Sequence, residues 1–326
     1  MITSFFKTSK PIHYIIFLVV LICVFAYQRI IVVDYEVNIS NILKELGSLS
    51  ILLASFFTLI FIVTKNNLTY NNSYAALYFC LFIGLIPSCL ETNSILVSNF
   101  FILLSLRRIV SLKTNSNIKK KVLDASMWIC LAAVFEPWAI LFLGSLFVAM
   151  LLYSVAQIKN SIISLCGVLT VGILLTCYQL LTEDTFPNLK EYLPTTRLDT
   201  FAFINTILEI APLLFLTIVL LGIGSFIAKG FLKNRLKKPN FLVLVLVIFI
   251  GITIAFLSLS QGVSYFLFAL APSTIVLANF SETTKYRWLS ELVIGVLLFT
   301  ALLQVGLNIP FPTIQTKELH LYLPHK

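Results

Sequence analysis

Charge is scarce in this sequence. Asp, Glu, Lys and Arg make up 11% of its 326 residues, against about 25% in a typical soluble domain. A chain this poor in charge cannot cover a water-facing surface, which excludes a soluble enzyme or a soluble binding module. Histidine is scarcer still: His13, His320 and His325 stand in no ligand spacing. The six cysteines (Cys23, Cys80, Cys89, Cys130, Cys166, Cys177) contain no CxxC pair, so neither a metal site nor a disulfide framework is indicated. Inside apolar runs a thiol behaves as a small hydrophobe. No Ser/His/Asp set, glycine-rich phosphate loop or zinc motif occurs. The net charge of +9 is spread through short connections between apolar runs. Membrane orientation accounts for it, and no nucleic-acid partner is assigned.

What the chain has in excess is apolar length. Hydrophobic residues reach 59% and the mean hydropathy is +0.99. Runs near the length that crosses a ~30 Å hydrocarbon layer recur throughout. The reading is an all-α, polytopic transmembrane bundle of eleven spans: 12–27 (continuing to 33 if Arg29 snorkels), 47–64, 74–90, 93–106, 122–135, 138–155, 161–181, 201–227, 241–259, 262–280 and 288–307. Residues 1–326 form a single integral membrane domain, with a helical bundle over 12–307 and an outer tail over 308–326 that holds Pro310, Pro312 and Pro324. Lys7 and Lys10 before the first run imitate a signal peptide. Bulky Ile22 and Phe25 stand where cleavage needs small residues, so the run is read as a span.

Orientation follows from the basic residues. The connection from Arg107 to Lys121 alone holds six of them (Arg107, Arg108, Lys113, Lys119, Lys120, Lys121), a strong cytoplasmic marker. With the amino terminus inside, 17 of the 23 Lys and Arg fall in inside connections and only Arg29, Lys44, Lys190, Arg197, Lys317 and Lys326 fall outside. The carboxyl terminus then lies outside. The segment 122–135 is short enough to be re-entrant, but reading it and the next segment as one crossing would put Lys229 to Lys238 outside. Ten of the fourteen acidic residues fall outside, where they either collect because lysine is excluded or form an acidic working face.

Candidate chemistry is confined to a few carboxylates. Asp34 and Glu36 follow the first span directly, and Ile39, Ile42, Leu43 and Leu46 then repeat at the spacing of a short interfacial helix. A carboxylate held there can serve as a general base or hold a metal against a phosphate. Glu209, with Pro212 close by, is the third candidate because a carboxylate inside a span is costly to bury. Asp124 and Glu291 sit near the basic edge, where pairing with Lys121 and Arg287 is expected. Glu136-Pro137-Trp138 reads as a turn at the outer interface. Ala132, Ala133, Gly144 and Ala149 predict close packing of the fifth and sixth segments.

The stretches YAALYFCLFIGLIPSCLETNSILVSNFFILLSLRRI and LDASMWICLAAVFEPWAILFLGSLFVAMLLYSV resemble an uncharacterised family of bacterial multi-pass inner-membrane proteins. Pro87 with the segment after it, Asp124-Ala125, and Phe135 with Pro137 carry the resemblance. An aromatic residue is expected before that last proline, where this chain has Glu136. The layout is also similar, more loosely, to C-type glycosyltransferases that use polyprenyl-phosphate sugars, with many spans, an inside amino terminus and acidic residues in the first outer loop. That similarity implies transfer from a lipid-linked sugar with Asp34 or Glu36 in service. The alternative is a non-catalytic scaffold or accessory subunit of an envelope assembly, and a transporter ranks third. The bilayer is the one certain partner; a polyprenyl-phosphate sugar and other membrane proteins belong to the two readings. No cofactor is assigned.

Overall fold

The computed structural model describes residues 2–32, 39–184, 186, 210–233, 238–284 and 287–306. Asp34, Glu36, Glu209, Arg197 and the tail 308–326 lie outside the described residues. Within them the secondary structure is helical and contains no strand. The helices are α1 (Ile2–Phe5), α2 (Pro11–Tyr27), α3 (Ile39–Lys65), α4 (Tyr74–Leu85), α5 (Asn93–Ser111), α6 (Ile118–Phe135), α7 (Phe142–Leu152), α8 (Ile158–Glu183), α9 (Ile210–Lys233), α10 (Lys238–Leu257), α11 (Leu267–Thr283) and α12 (Arg287–Gly306). Among the described residues, eight helical stretches are long and apolar enough to cross a membrane, and α4 and the stretch Pro137–Leu152 that includes α7 are shorter apolar helices.

The centre of the bundle is the pair α4 and α11. All twelve residues of α4 are buried, as is every residue of α11 from Leu267 to Ala278. A helix apolar on every face has no preferred outer side and is enclosed by its neighbours. Hydroxyls admitted to this centre turn back onto backbone carbonyls: Ser273 Oγ donates to Ala269 O at 2.6 Å and Thr274 Oγ1 to Ala271 O at 2.7 Å. Gly251 lets α10 approach closely, since a Cβ there would stand 2.9 Å from Ala269 N.

Helix pairing aligns the ends. α6 runs antiparallel beside α5 for its full length. Lys121 near its start donates to Ser111 O at 2.6 Å, and Ser98 Oγ of α5 donates to Ala132 O near its end at 3.0 Å. With 18 residues α6 is about 27 Å long, four residues longer than the expected 14-residue segment because the lysine run joins the helix. α7 returns the chain, and Tyr153 just beyond it donates to Asn240 Oδ1 of α10 at 2.8 Å.

Several local expectations are corrected. The residues from Ile39 do not form a separate interfacial helix; they belong to the unbroken 27-residue α3. Gly47 does not break it: a single glycine costs a helix only about 1 kcal/mol, and Ser48 and Ser50 donate to the carbonyls of Lys44 and Gly47. Asp124 pairs with Arg108 at 2.8 Å, not with Lys121, whose ammonium is drawn to the carbonyl end of α5. Glu291 accepts from Thr3 Oγ1 at 2.8 Å, which ties α1 to α12. The tight small-residue contact of α6 is with α8: a Cβ on Gly167 would fall 2.1 Å from Ser126 Oγ, whereas Gly144 is exposed with open space around it.

Candidate functional site

Three helix interruptions meet at the end of the bundle opposite the basic residues. α4 stops at Ile86 and Pro87 opens a 3₁₀ turn, Pro87–Leu90. α6 stops at Glu136 and Pro137 opens another, Pro137–Leu141. Proline tolerates a first turn because it has no N–H to leave unsatisfied. α10 gives way at Ser258 to a third, Leu259–Phe266. Ser264 Oγ donates to Ser88 O at 2.9 Å, so the first and third turns touch.

Glu136 sits where they converge and is 4% exposed. Its Oε1 accepts from Ser94 Oγ and its Oε2 from Tyr265 Oη, the latter at 2.8 Å. A carboxylate buried at this depth is tolerated only because such donors replace water. A second set of polar contacts adjoins it. α2 widens into a π turn at Gln28–Val32, a distortion frequent at functional sites, and this brings Gln28 and Arg29 inside. Gln28 Nε2 donates to Glu91 Oε1 at 2.8 Å. Arg29 Nε lies 3.2 Å from Glu45 Oε2, and Arg29 Nη2 donates to Asn93 Oδ1. Arg29 is therefore buried and paired rather than snorkelling to the surface. Glu91, Asn93 and Ser94 are near neighbours in sequence, so this one corner joins the two sets.

The carboxylates differ in what they can do. Glu136 is closed in by its two hydroxyl donors, and Glu45 is held against Arg29. Glu91 stays exposed on one side. Partial burial lifts its carboxyl above the ordinary carboxylate range, against the opposing hydrogen bonds from Ser88 and Gln28 and the charge of Arg29. Raised basicity on an accessible oxygen is what a general base requires. Among the described residues no group of three or more His, Cys, Asp or Glu could hold a metal.

The described neighbours of the sequence candidates all belong to this end. Val32 and Ile39 flank the segment with Asp34 and Glu36, and Ile210 follows Glu209. Phe215, one turn into α9, packs edge-on against Phe82 at 4.9 Å and Phe266 at 5.9 Å. Sequence reasoning missed Gln28, Glu45, Glu91, Tyr265 and, above all, Glu136, which it assigned to an ordinary turn. The available signal was a carboxylate directly before a proline with apolar residues on both sides.

No curated protein and no solved structure matches this chain. One family does, over residues 8–309, which is nearly the whole length. The chain is an integral membrane protein by its helices, and it belongs to the family of unknown function DUF6427.

Proposed function

We propose that this is an inner-membrane enzyme that crosses the bilayer eleven times, with its amino terminus inside and its carboxyl terminus outside. It transfers a sugar from a polyprenyl-phosphate donor at its outer face. The observation that carries the reading is Glu91: an exposed carboxylate of raised pKa, positioned by Gln28 beside a fixed polar cluster at the end of the bundle away from the basic residues. Pairing of α6 with both ends of α5 supports the crossing count, since it gives α6 the reach of a full span.

In the proposed step the acceptor hydroxyl oxygen attacks the anomeric carbon and its proton passes to Glu91. The bond from that carbon to the donor's phosphate oxygen breaks, and the electron pair leaves with the lipid phosphate. Asp34 and Glu36 follow the π turn in sequence, and Glu209 precedes α9; they are the other carboxylates proposed for acceptor or donor binding. Glu91→Gln, Asp34→Asn and Glu209→Gln are compared with the tail control Glu318→Gln for donor-dependent labelling of envelope glycans. Loss of labelling in Glu91→Gln at normal expression supports the reading, and full labelling removes Glu91 as the base.

A scaffold reading is favoured by one observation. Over 26 residues α8 buries only Asn160, Ser164, Gly167 and Val171, leaving Leu165, Leu169, Ile173 and Tyr178 exposed. Full function in all three carboxylate variants would make this face, rather than the polar end, the working part of the protein.

A further inference from the structure

The opposite end of the bundle carries an unbalanced concentration of positive charge drawn from three separate helices. At the end of α3, Lys65 Nζ lies 5.1 Å from the centre of the Phe61 ring, and Arg107 of α5 lies 4.3 Å from the same centre. Two cations thus share one aromatic ring. Lys121 of α6 stands close enough to Arg108 and Lys65 for both charges to bear on it. Lys113, Lys119 and Lys120 are exposed around them. The carboxylate paired within this group is Asp124, with Arg108. The carbonyl ends of α3 and α5 offset some of the charge, but each helix end supplies only about half a unit. Like charges gathered this closely call for an anion.

The surroundings specify what kind. α3 and α5 are both long and apolar enough to span a membrane, so their shared end lies at the level of lipid headgroups. Phe61 below the cations is 38% exposed and offers an apolar surface to an acyl chain. A guanidinium lying over a ring can still present N–H groups for bidentate contact with phosphate oxygens. We propose that Lys65 and Arg107, with the charge of Lys121 behind them, bind the phosphate headgroup of an anionic phospholipid whose chain lies against Phe61.

The test uses the full-length protein in a neutral detergent. Acetylation of Lys65 by an amine-reactive reagent is followed by mass spectrometry with phosphatidylglycerol, phosphatidylcholine of the same chains, or inorganic phosphate added. Lys159, exposed at the start of α8, is the internal reference. Phosphatidylglycerol should protect Lys65 well beyond Lys159, with neither of the other additions doing so. In parallel, Lys65→Gln combined with Arg107→Gln should weaken phosphatidylglycerol binding roughly tenfold or more, as expected for losing two basic contacts with an anionic headgroup. Equal protection by phosphatidylcholine overturns the charge requirement, and equal protection by inorganic phosphate overturns the lipid as occupant. No protection overturns the site. The protection measurement needs no variant, so the proposal stays testable if the double substitution fails to fold.

Discussion

The phenol of Tyr265 donates a 2.8 Å hydrogen bond to Glu136 Oε2, joining residues 129 positions apart in the chain. Both side chains are buried, so the bond fixes the turn that follows α10 against the turn that follows α6. Tyr265→Phe removes one of two donors to a buried carboxylate and should destabilise the protein by about 1.5–3 kcal/mol. Glu136→Gln keeps the shape and an acceptor and should cost less. Thermal unfolding in detergent measures both, and an unchanged midpoint in Tyr265→Phe would mean the bond contributes nothing.

Packing of α8 on α6 depends on Gly167. Adding a Cβ there meets Ser126 Oγ at 2.1 Å and the backbone carbonyl of Leu123 at 3.1 Å. Gly167→Ala should lower folded yield on size-exclusion chromatography, by an overpacking cost of about 1–3 kcal/mol. Adding Ser126→Ala should recover part of the loss, because the backbone contact remains. Gly144→Ala should be neutral or slightly stabilising, since that position is open.

Acid should separate stability from activity at Glu91. A carboxyl whose pKa is raised in the folded state opposes folding while it is ionised. That opposition is relieved as pH falls through the raised value toward the ordinary carboxylate range. Thermal stability should therefore rise slightly over the same interval in which transfer activity falls, because the base takes up its proton. Gln28→Leu removes a hydrogen bond that lowers this pKa, so the acid limb of its activity profile should move to higher pH. A limb that stays in place would remove Glu91 from the rate-determining protonation.

The helices were legible in the sequence because every apolar run but the pair meeting at Ser260-Gln261 is bounded by charge, proline or asparagine, and lipid leaves the backbone little choice but helix. Their exact lengths were less so. Lys119 to Lys121 look like loop by composition, yet they extend α6, where Lys121 can reach the carbonyls at the end of α5. Gly47 looks like a boundary, yet the helix runs through it. The polar cluster was the least legible part. Glu136, Tyr265, Gln28 and Glu91 come from four distant segments, and nothing in their local spacing announces that three interrupted helices bring them together. Local composition identified Asp34, Glu36 and Glu209 because each stands out within its own stretch. Convergence of residues from different helices leaves no such mark.

The central claim is that the end carrying Glu91 opens to the outside while the Lys65–Arg107 end faces the cytoplasm. Its most direct test is cysteine labelling in right-side-out membrane vesicles, in a chain whose six native cysteines are replaced by alanine. A membrane-impermeant maleimide should label Glu91→Cys in sealed vesicles and Lys120→Cys only after permeabilisation. Labelling of Lys120→Cys in sealed vesicles, or no labelling of Glu91→Cys before permeabilisation, would contradict the account.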